Sequence, residues 1–464
     1  MKPALRSLVF AAVFLTGCAM GPNYKRPDVP APPQFRGAEA SQKSIADTKW
    51  HDLFQDPVLK DLIDTALKQN YDIRIAAERV MQARAQYGIT RADLFPALGV
   101  STQFVANRAA RIGAIPFAPP GANLDAGYTQ AGFTLSWELD IWGRIRRLKE
   151  AGAAEYMASE EARRAVTTSL VADVTSGYFT LRALDLELDI ARKTKEVAER
   201  GLKLTQLRRD RGVVTGLDVS QAEQFLYTAN AQIEASERSM TQAENALQFL
   251  LGQNPGATPR GKALEEFVAP SAVPPGLPSD LLERRPDIRQ AEQRLIAANA
   301  RIGAARAMYF PRISLTGLMA GQSRYLEQLF TGPARQWNFT PAATVPIFDA
   351  GRIRSEVKLS EASKRELVVQ YEKTIQTAFR EVADSLTGYS HTRKQREQQE
   401  LLVAALRKST TLSSLRYEGG LESYLQVLDA QRNLFQGELN LAQLRLQELN
   451  TVVQLYRALG GGWQ

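Results

Sequence analysis

The sequence predicts a mixed membrane protein: a small β-barrel segment joined to an unusually long α-helical barrel, assembled from two copies of one structural unit. Three observations predict it. The two halves of the 464-residue chain repeat each other. No proline interrupts the stretch from Gly143 to Arg211. Four short segments alternate apolar and polar residues with the period of a β-strand.

The duplication is read from paired motifs. Asp72-Ile73-Arg74 recurs as Asp287-Ile288-Arg289, and Phe95-Pro96 as Phe310-Pro311. Gly143-Arg144-Ile145-Arg146 recurs as Gly351-Arg352-Ile353-Arg354. Leu207-Arg208 with Gly212 recurs as Leu415-Arg416 with Gly420, and Leu251-Gly252 as Leu459-Gly460. The offset falls from about 215 to about 208 between the Phe-Pro and Gly-Arg-Ile-Arg pairs, so one loop differs in length. The stretch from Asn254 to Pro278 is rich in proline and glycine and reads as a linker. These marks divide the chain into repeat 1 (57–252), a linker (253–280), repeat 2 (281–460) and a tail (461–464).

Each repeat reads as helix, strand pair, very long helix, turn, helix. The first helix is expected from near Pro57 to Asp93, and its counterpart from about Leu281 to Met308. Proline disfavours helix in the residue before it, so each should end just before Phe-Pro. A hairpin follows at 97–140: Leu98, Val100, Thr102 and Phe104 alternate with polar or small residues, as do Phe133, Leu135, Trp137 and Leu139. The second hairpin, at 312–348, uses Ile313, Leu315 and Met319, then Trp337, Phe339, Ala343, Val345 and Ile347. Pro341 and Pro346 weaken that last strand. The Gly- and Pro-rich segments 107–127 and 321–336 are expected as surface loops.

The helical part is long: at 1.5 Å per residue, the proline-free run reaches on the order of 100 Å. In its counterpart Val368, Tyr371, Ile375, Ala378, Val382, Leu386 and Tyr389 recur at threes and fours, the pattern of coiled-coil packing.

Composition excludes several classes. The net charge is +8, but basic residues are interspersed with nearly as many acids and form no run of five or six like charges, so nucleic acid is not an expected partner. A single cysteine excludes an intrachain disulfide and a cysteine-rich metal site. His51 and His391 are far apart and lack a second ligand at helical spacing. No nucleophile elbow, P-loop or HExxH is present, so neither catalysis nor a dissociable cofactor is expected.

At the N-terminus, Lys2 and Arg6 precede a short apolar run, Leu8 to Leu15, too short to span a bilayer as a helix. This fits a secretory signal over 1–17. Leu15-Thr16-Gly17-Cys18 resembles the lipobox of bacterial lipoproteins, which implies cleavage before Cys18 and a covalent lipid on it. Ala19, not aspartate, follows, which in lipoproteins implies outer-membrane sorting. Residues 18–56 then read as a lipidated, Pro-rich extended segment.

No later stretch is apolar enough for a transmembrane helix, so a membrane crossing must use strands. The strands are about ten residues long, the length that crosses a bilayer at a tilt, and no second sheet is available to cover their apolar face. Four strands cannot close a barrel, and an open edge in lipid costs several kcal/mol per unpaired group. Other copies must complete it; a dimer would supply eight strands and a trimer twelve. The long helices would then form a hollow tube beneath.

The lipobox, the two-fold repeat, the Gly-Arg-Ile-Arg starts and Asp429-Ala430-Gln431-Arg432 together resemble the outer membrane factor (TolC-like) family. The similarity lies with the lipoprotein branch, such as the OprM and CusC ducts of resistance-nodulation-division (RND) efflux pumps. The resemblance covers the mature chain. It implies a homotrimer with a shared twelve-stranded barrel, a periplasmic helical barrel and an equatorial belt. It also implies a periplasmic adaptor, an inner-membrane RND-type pump and outer-membrane lipid as partners. The implied function is a passive exit duct for small molecules, gated at its periplasmic tip. A protein-secretion duct and a non-conducting envelope scaffold are the alternatives.

The resemblance places the gate near the turns 211–216 and 418–421, where Gly212, Gly216, Gly419 and Gly420 would reverse the chain and dock the adaptor. Leu425, Asp429 and Arg432 share one helix face. They imply an apolar constriction at Leu425 and an acidic ring of Asp429 held by Arg432. Tyr417 matches the family's gating tyrosine. Gln426 stands where TolC carries a second acidic ring, so that ring is absent. Asp218, beside the first turn, is a lesser candidate.

Overall fold

The computed structural model describes residues 19–36, 43–53, 55–110, 123–270 and 273–462. The expected signal peptide and Cys18 lie outside the described residues, as does the middle of the first surface loop. The chain divides into two compact units. Among the described residues, the first comprises 19–27, Val80–Ala158 and Ala291–Tyr371, and the second Asp28–Arg79, Ser159–Gln290 and 372–462. Both repeats contribute to each.

The elements follow the expected order. Repeat 1 supplies α1 (Pro57–Gln69), α2 (Tyr71–Ala92), β1 (Ala97–Arg108), β2 (Asp125–Leu139), α3 (Arg144–Asp210) and α4 (Gly216–Leu250). Repeat 2 supplies α5 (Pro286–Ala307), β3 (Arg312–Ser323), β4 (Arg335–Thr344), α6 (Arg352–Glu418) and α7 (Tyr424–Ala458). The long helices α3 and α6 are each 67 residues, and the returning helices α4 and α7 each 35, so the duplication is kept to the residue.

Boundaries differ from expectation for local reasons. The first helix is not continuous from Pro57 to Asp93. Asn70 divides it: its amide nitrogen closes α1 on the Ala66 carbonyl (2.9 Å), and its Oδ1 accepts from the amides of Asp72 (2.8 Å) and Ile73 (3.1 Å), capping α2. In repeat 2, Pro286 holds Arg285 extended and separates a single turn, Leu281–Arg284, from α5. Both α2 and α5 end three residues ahead of Phe-Pro, at Ala92 and Ala307. Strand β2 begins at Asp125, so the first loop is shorter than expected. Pro341 lies inside β4 opposite Leu315; within the single chain β4 is an edge strand, the place in a sheet where proline is found. The strand stops at Thr344, ahead of Pro346 and short of the expected Phe348.

In the first unit the strands form one antiparallel sheet in the order β1-β2-β3-β4. The register aligns Val100, Phe133, Met319 and Trp337 in a row across it, with 73%, 64%, 70% and 79% of their surfaces exposed. The next row on that face is Leu98, Leu135, Gly317 and Phe339. The opposite face carries Gln103, Gln130 and Gln322, and Ser136, Thr316 and Thr340. One face is therefore apolar and open, the other polar, as the alternation predicts.

The first unit also holds the segment after Ala19 in a fitted groove. The Met20 amide donates to the Trp142 carbonyl (3.1 Å). The buried Arg147 guanidinium donates to the carbonyl of Met20 (3.0 Å) and to Asn23 Oδ1 (2.9 Å), and Asn299 Nδ2 donates to the Pro22 carbonyl (2.8 Å). Glu292 accepts from the Tyr24 hydroxyl (3.1 Å) and, bidentately, from Arg26 (2.6 and 2.7 Å). Gly21, at φ +91°, lies so close to Gly303 that a Cβ on either would meet backbone at 2.4 Å.

In the second unit three distant parts of the chain meet: the N-terminal segment, the linker and the C-terminus. Ser44 pairs with Pro275, the Tyr456 hydroxyl donates to the Thr48 carbonyl (2.9 Å), and Arg445 pairs with Glu265 (2.6 Å). Fully buried Asp56 accepts from the Val58 amide (2.8 Å), the Tyr178 hydroxyl (2.8 Å) and the Lys262 amide (3.0 Å).

Candidate gate at the helical turns

The two turns joining long to returning helices lie in the second unit and are built alike. After α3, the Gly212 amide donates to the Arg209 carbonyl (2.8 Å) and the Val213 amide to that of Arg208 (2.9 Å). After α6, Gly420 donates to Tyr417 (3.0 Å) and Leu421 to Arg416 (2.9 Å). This pair of bonds is a Schellman closure, which needs a left-handed residue, and Gly212 and Gly420 stand at φ +73° and +76°. Gly216 and Gly419 lie outside the left-handed region, so glycine is not required there by the backbone. Around the turns Val213, Leu217, Leu421 and Leu425 expose apolar side chains.

Thr215 and Asp218 form a capping box at the start of α4: Asp218 Oδ2 accepts from the Thr215 amide (2.8 Å) and hydroxyl (2.7 Å). That binds Oδ2 of Asp218 to the turn.

The returning helices are held by an apolar cluster. It packs Ala191, Ala198 and Ile190 of α3, Phe225 of α4 and Tyr417 of α6 against Tyr424, Leu428 and Phe435 of α7. Tyr417 and Tyr424 face each other with ring centroids 5.4 Å apart. Among the described residues the Tyr417 hydroxyl is buried without a hydrogen-bond partner. Burial first, and then the neighbouring Tyr417, push the Tyr424 hydroxyl above the usual phenol range. The Arg208 guanidinium sits over the Tyr417 ring, 4.1 Å from its centroid, and Nη1 donates to the Tyr417 carbonyl (3.2 Å).

The predicted gate residues are thus partly brought together. Tyr417 is buried in the cluster, while Leu425, Asp429 and Arg432 project as an exposed row along α7. The expected Asp429–Arg432 contact is not what holds the acid in this chain. Asp429 Oδ2 accepts from Asn433 Nδ2 (3.1 Å), one full turn on, where helix geometry brings side chains together. Arg208 and Tyr424 were missed as partners of Tyr417. The recurrence of Leu-Arg before both turn glycines was the signal for Arg208; nothing local marked Tyr424.

The sequence model of the outer membrane efflux protein family matches residues 62–253 and 277–461. The chain is 41% identical over 466 residues to the solvent efflux pump outer membrane protein SrpC of Pseudomonas putida, covering 98% of this chain and 97% of SrpC. It is 40% identical over 468 residues to the outer membrane protein OprJ of Pseudomonas aeruginosa, covering 100% and 97%. The chain belongs to the outer membrane efflux protein family. Solved structures agree with this efflux protein over nearly their whole length. A membrane protein from Pseudomonas aeruginosa superimposes with a TM-score of 0.89 at 38% identity, covering 96% of this chain and all of that one. The open-state Neisseria gonorrhoeae outer membrane channel MtrE superimposes with a TM-score of 0.87 at 32% identity, covering 96% and 99%. The efflux protein is an outer-membrane exit duct, and its turns, cluster and exposed α7 row are parts of that duct.

Proposed function

We propose that three copies of this chain form one duct, twelve strands from three sheets of four closing a barrel in the outer membrane. The observation that carries the reading is the open sheet itself. Both edge strands, β1 and β4, have an unpaired side, and one face carries an exposed apolar row, Val100, Phe133, Met319 and Trp337. In lipid such edges are untenable, and pairing β4 of one copy with β1 of the next removes them. The apolar face then meets lipid and the glutamine and threonine face lines the lumen.

A covalent lipid on Cys18 anchors the N-terminus in the same membrane. A periplasmic adaptor docks at the turns, where Val213, Leu217 and Leu421 present apolar surface, and an RND-type pump of the inner membrane supplies the cargo. The relatives are named for solvents, toluene and antibiotics, and small organic molecules are the cargo class proposed here. Specificity then resides in the pump.

Symmetry brings the exposed row of α7 around the passage. Leu425 forms an apolar constriction that disfavours water, and Asp429 an acidic ring, set by Asn433, that holds cations. Opening draws α7 and the end of α6 away from α3, which breaks the stack of Arg208 on Tyr417.

Single-channel conductance of the purified oligomer in a planar bilayer tests this. Wild type should show small, rare openings, and Asp429→Ala larger or more frequent ones. Openings unchanged by Asp429→Ala and by Leu425→Ala remove the gate from this row. No conductance from an inserted oligomer removes the duct.

A further inference from the structure

The apolar face of the sheet is not uniform. Beside the bulky row of Val100, Phe133, Met319 and Trp337 runs a row of small residues, Thr102, Ala131 and Gly321, which ends on Arg335. The loop between β3 and β4 folds back over this row. Leu329 is buried against the sheet, and a Cβ on Gly321 would strike the Leu329 carbonyl. Small residues below, bulky ones beside and Leu329 with Phe330 above leave a cavity of about 660 Å³. Its lining is chiefly apolar, with one full charge, Arg335, at the start of β4 where the chain comes in from the surface loop. Arg335 makes no ion pair among the described residues.

We infer that this cavity is a binding site for a phosphate-bearing, acylated lipid of the outer leaflet. An acyl chain would lie in the groove floored by Ala131 and Gly321 while the phosphate meets the Arg335 guanidinium, a pairing that suits arginine's planar donors. Two observations select lipid over a peptide. The groove is continuous with the exposed apolar row that faces the bilayer. The charge stands at the surface-loop end of its strand, at the level of the lipid headgroups. The inference rests on the membrane reading of the sheet, and the same oligomer's conductance reports that reading separately.

Native mass spectrometry of the delipidated, detergent-solubilised oligomer tests it, with dioleoyl phosphatidic acid and dioleoylglycerol as probes that share chains and differ in the phosphate. Wild type should retain the phosphatidic acid about tenfold more than the diacylglycerol, the worth of one charge-assisted contact. Arg335→Ala should bring the two to equal retention. Ala131→Trp, which fills the groove, should lose both while the oligomer stays intact and conducting. Equal retention of both lipids by wild type, unchanged retention in Ala131→Trp, or detergent adducts alone would overturn the site.

Discussion

Arg208, near the end of the first repeat's long helix, lies over the ring of Tyr417, near the end of the second's, 4.1 Å from its centroid. The same guanidinium donates to the Tyr417 carbonyl. One side chain therefore ties the two long helices where each is about to turn.

Replacing Arg208 by alanine should loosen that tie by about 2–4 kcal/mol, the sum of a cation–π contact and a charge-assisted hydrogen bond. Channels bearing Arg208→Ala should open more often than wild type in a bilayer recording. Arg208→Lys should fall between them, since lysine keeps the charge and loses the planar stack.

Tyr417→Phe should not destabilise the single chain and should stabilise it by up to about 1 kcal/mol, because the buried hydroxyl makes no hydrogen bond among the described residues and its removal lifts a desolvation penalty. Denaturant unfolding measures this. A change in conductance without a loss of stability then places a partner for that hydroxyl on a neighbouring copy. No change in either makes the ring, not the hydroxyl, the gating element.

The turn glycines should separate into two classes. Gly212→Ala and Gly420→Ala each force a side chain into the left-handed region, at about 1–2 kcal/mol. Gly216→Ala, with open space around its Cβ position and an ordinary φ, should be neutral. Thermal dissociation of the oligomer ranks the three. An adaptor-binding defect in Gly216→Ala alone would mark that glycine as a contact rather than a backbone requirement.

Glu187 predicts a pH dependence. It is buried on α3, and its carboxylate accepts from Gln443 on α7. Burial raises its affinity for a proton above that of a free glutamate, and the Gln443 bond only partly opposes this. A carboxyl raised in the folded state stabilises below its unfolded value, and that contribution is lost as pH rises through the folded value. Glu187→Gln should therefore raise the thermal midpoint near pH 8. It should give no gain near pH 4, where the acid is protonated folded and unfolded alike. A gain of equal size at both would exclude charge burial as its cause.

The N-terminal groove gives a test of packing. Gly303→Ala brings a methyl to 2.4 Å from the Met20 carbonyl, with the Arg147 side chain also in the way. The segment from Ala19 must shift, at a cost of about 1–3 kcal/mol. Limited proteolysis should then cut within 19–26 at rates that leave wild type whole.

Much of this was legible in the chain because duplication states each feature twice. The pairing of Gly212 with Gly420 and the alternation through Val100 and Phe133 gave turns, strands and their faces. What stayed hidden depends on contacts between segments far apart. No local pattern says that Asn70 will close one helix and open the next. Nor could spacing say that Asp429 would turn to Asn433 instead of Arg432, since both lie within reach on a helix. Asp56 was equally silent: its partners Tyr178 and Lys262 are distant in sequence, and only the folded chain brings them to one buried carboxylate.

The sheet has four strands in sequential order, alternating in direction. Because four is even, the last strand of one copy always runs opposite to the first strand of the next. Parity is therefore satisfied by any number of copies, and closure of the sheet selects none. Substitutions in the strands can then weaken the wall of the duct without changing the direction in which its copies are joined.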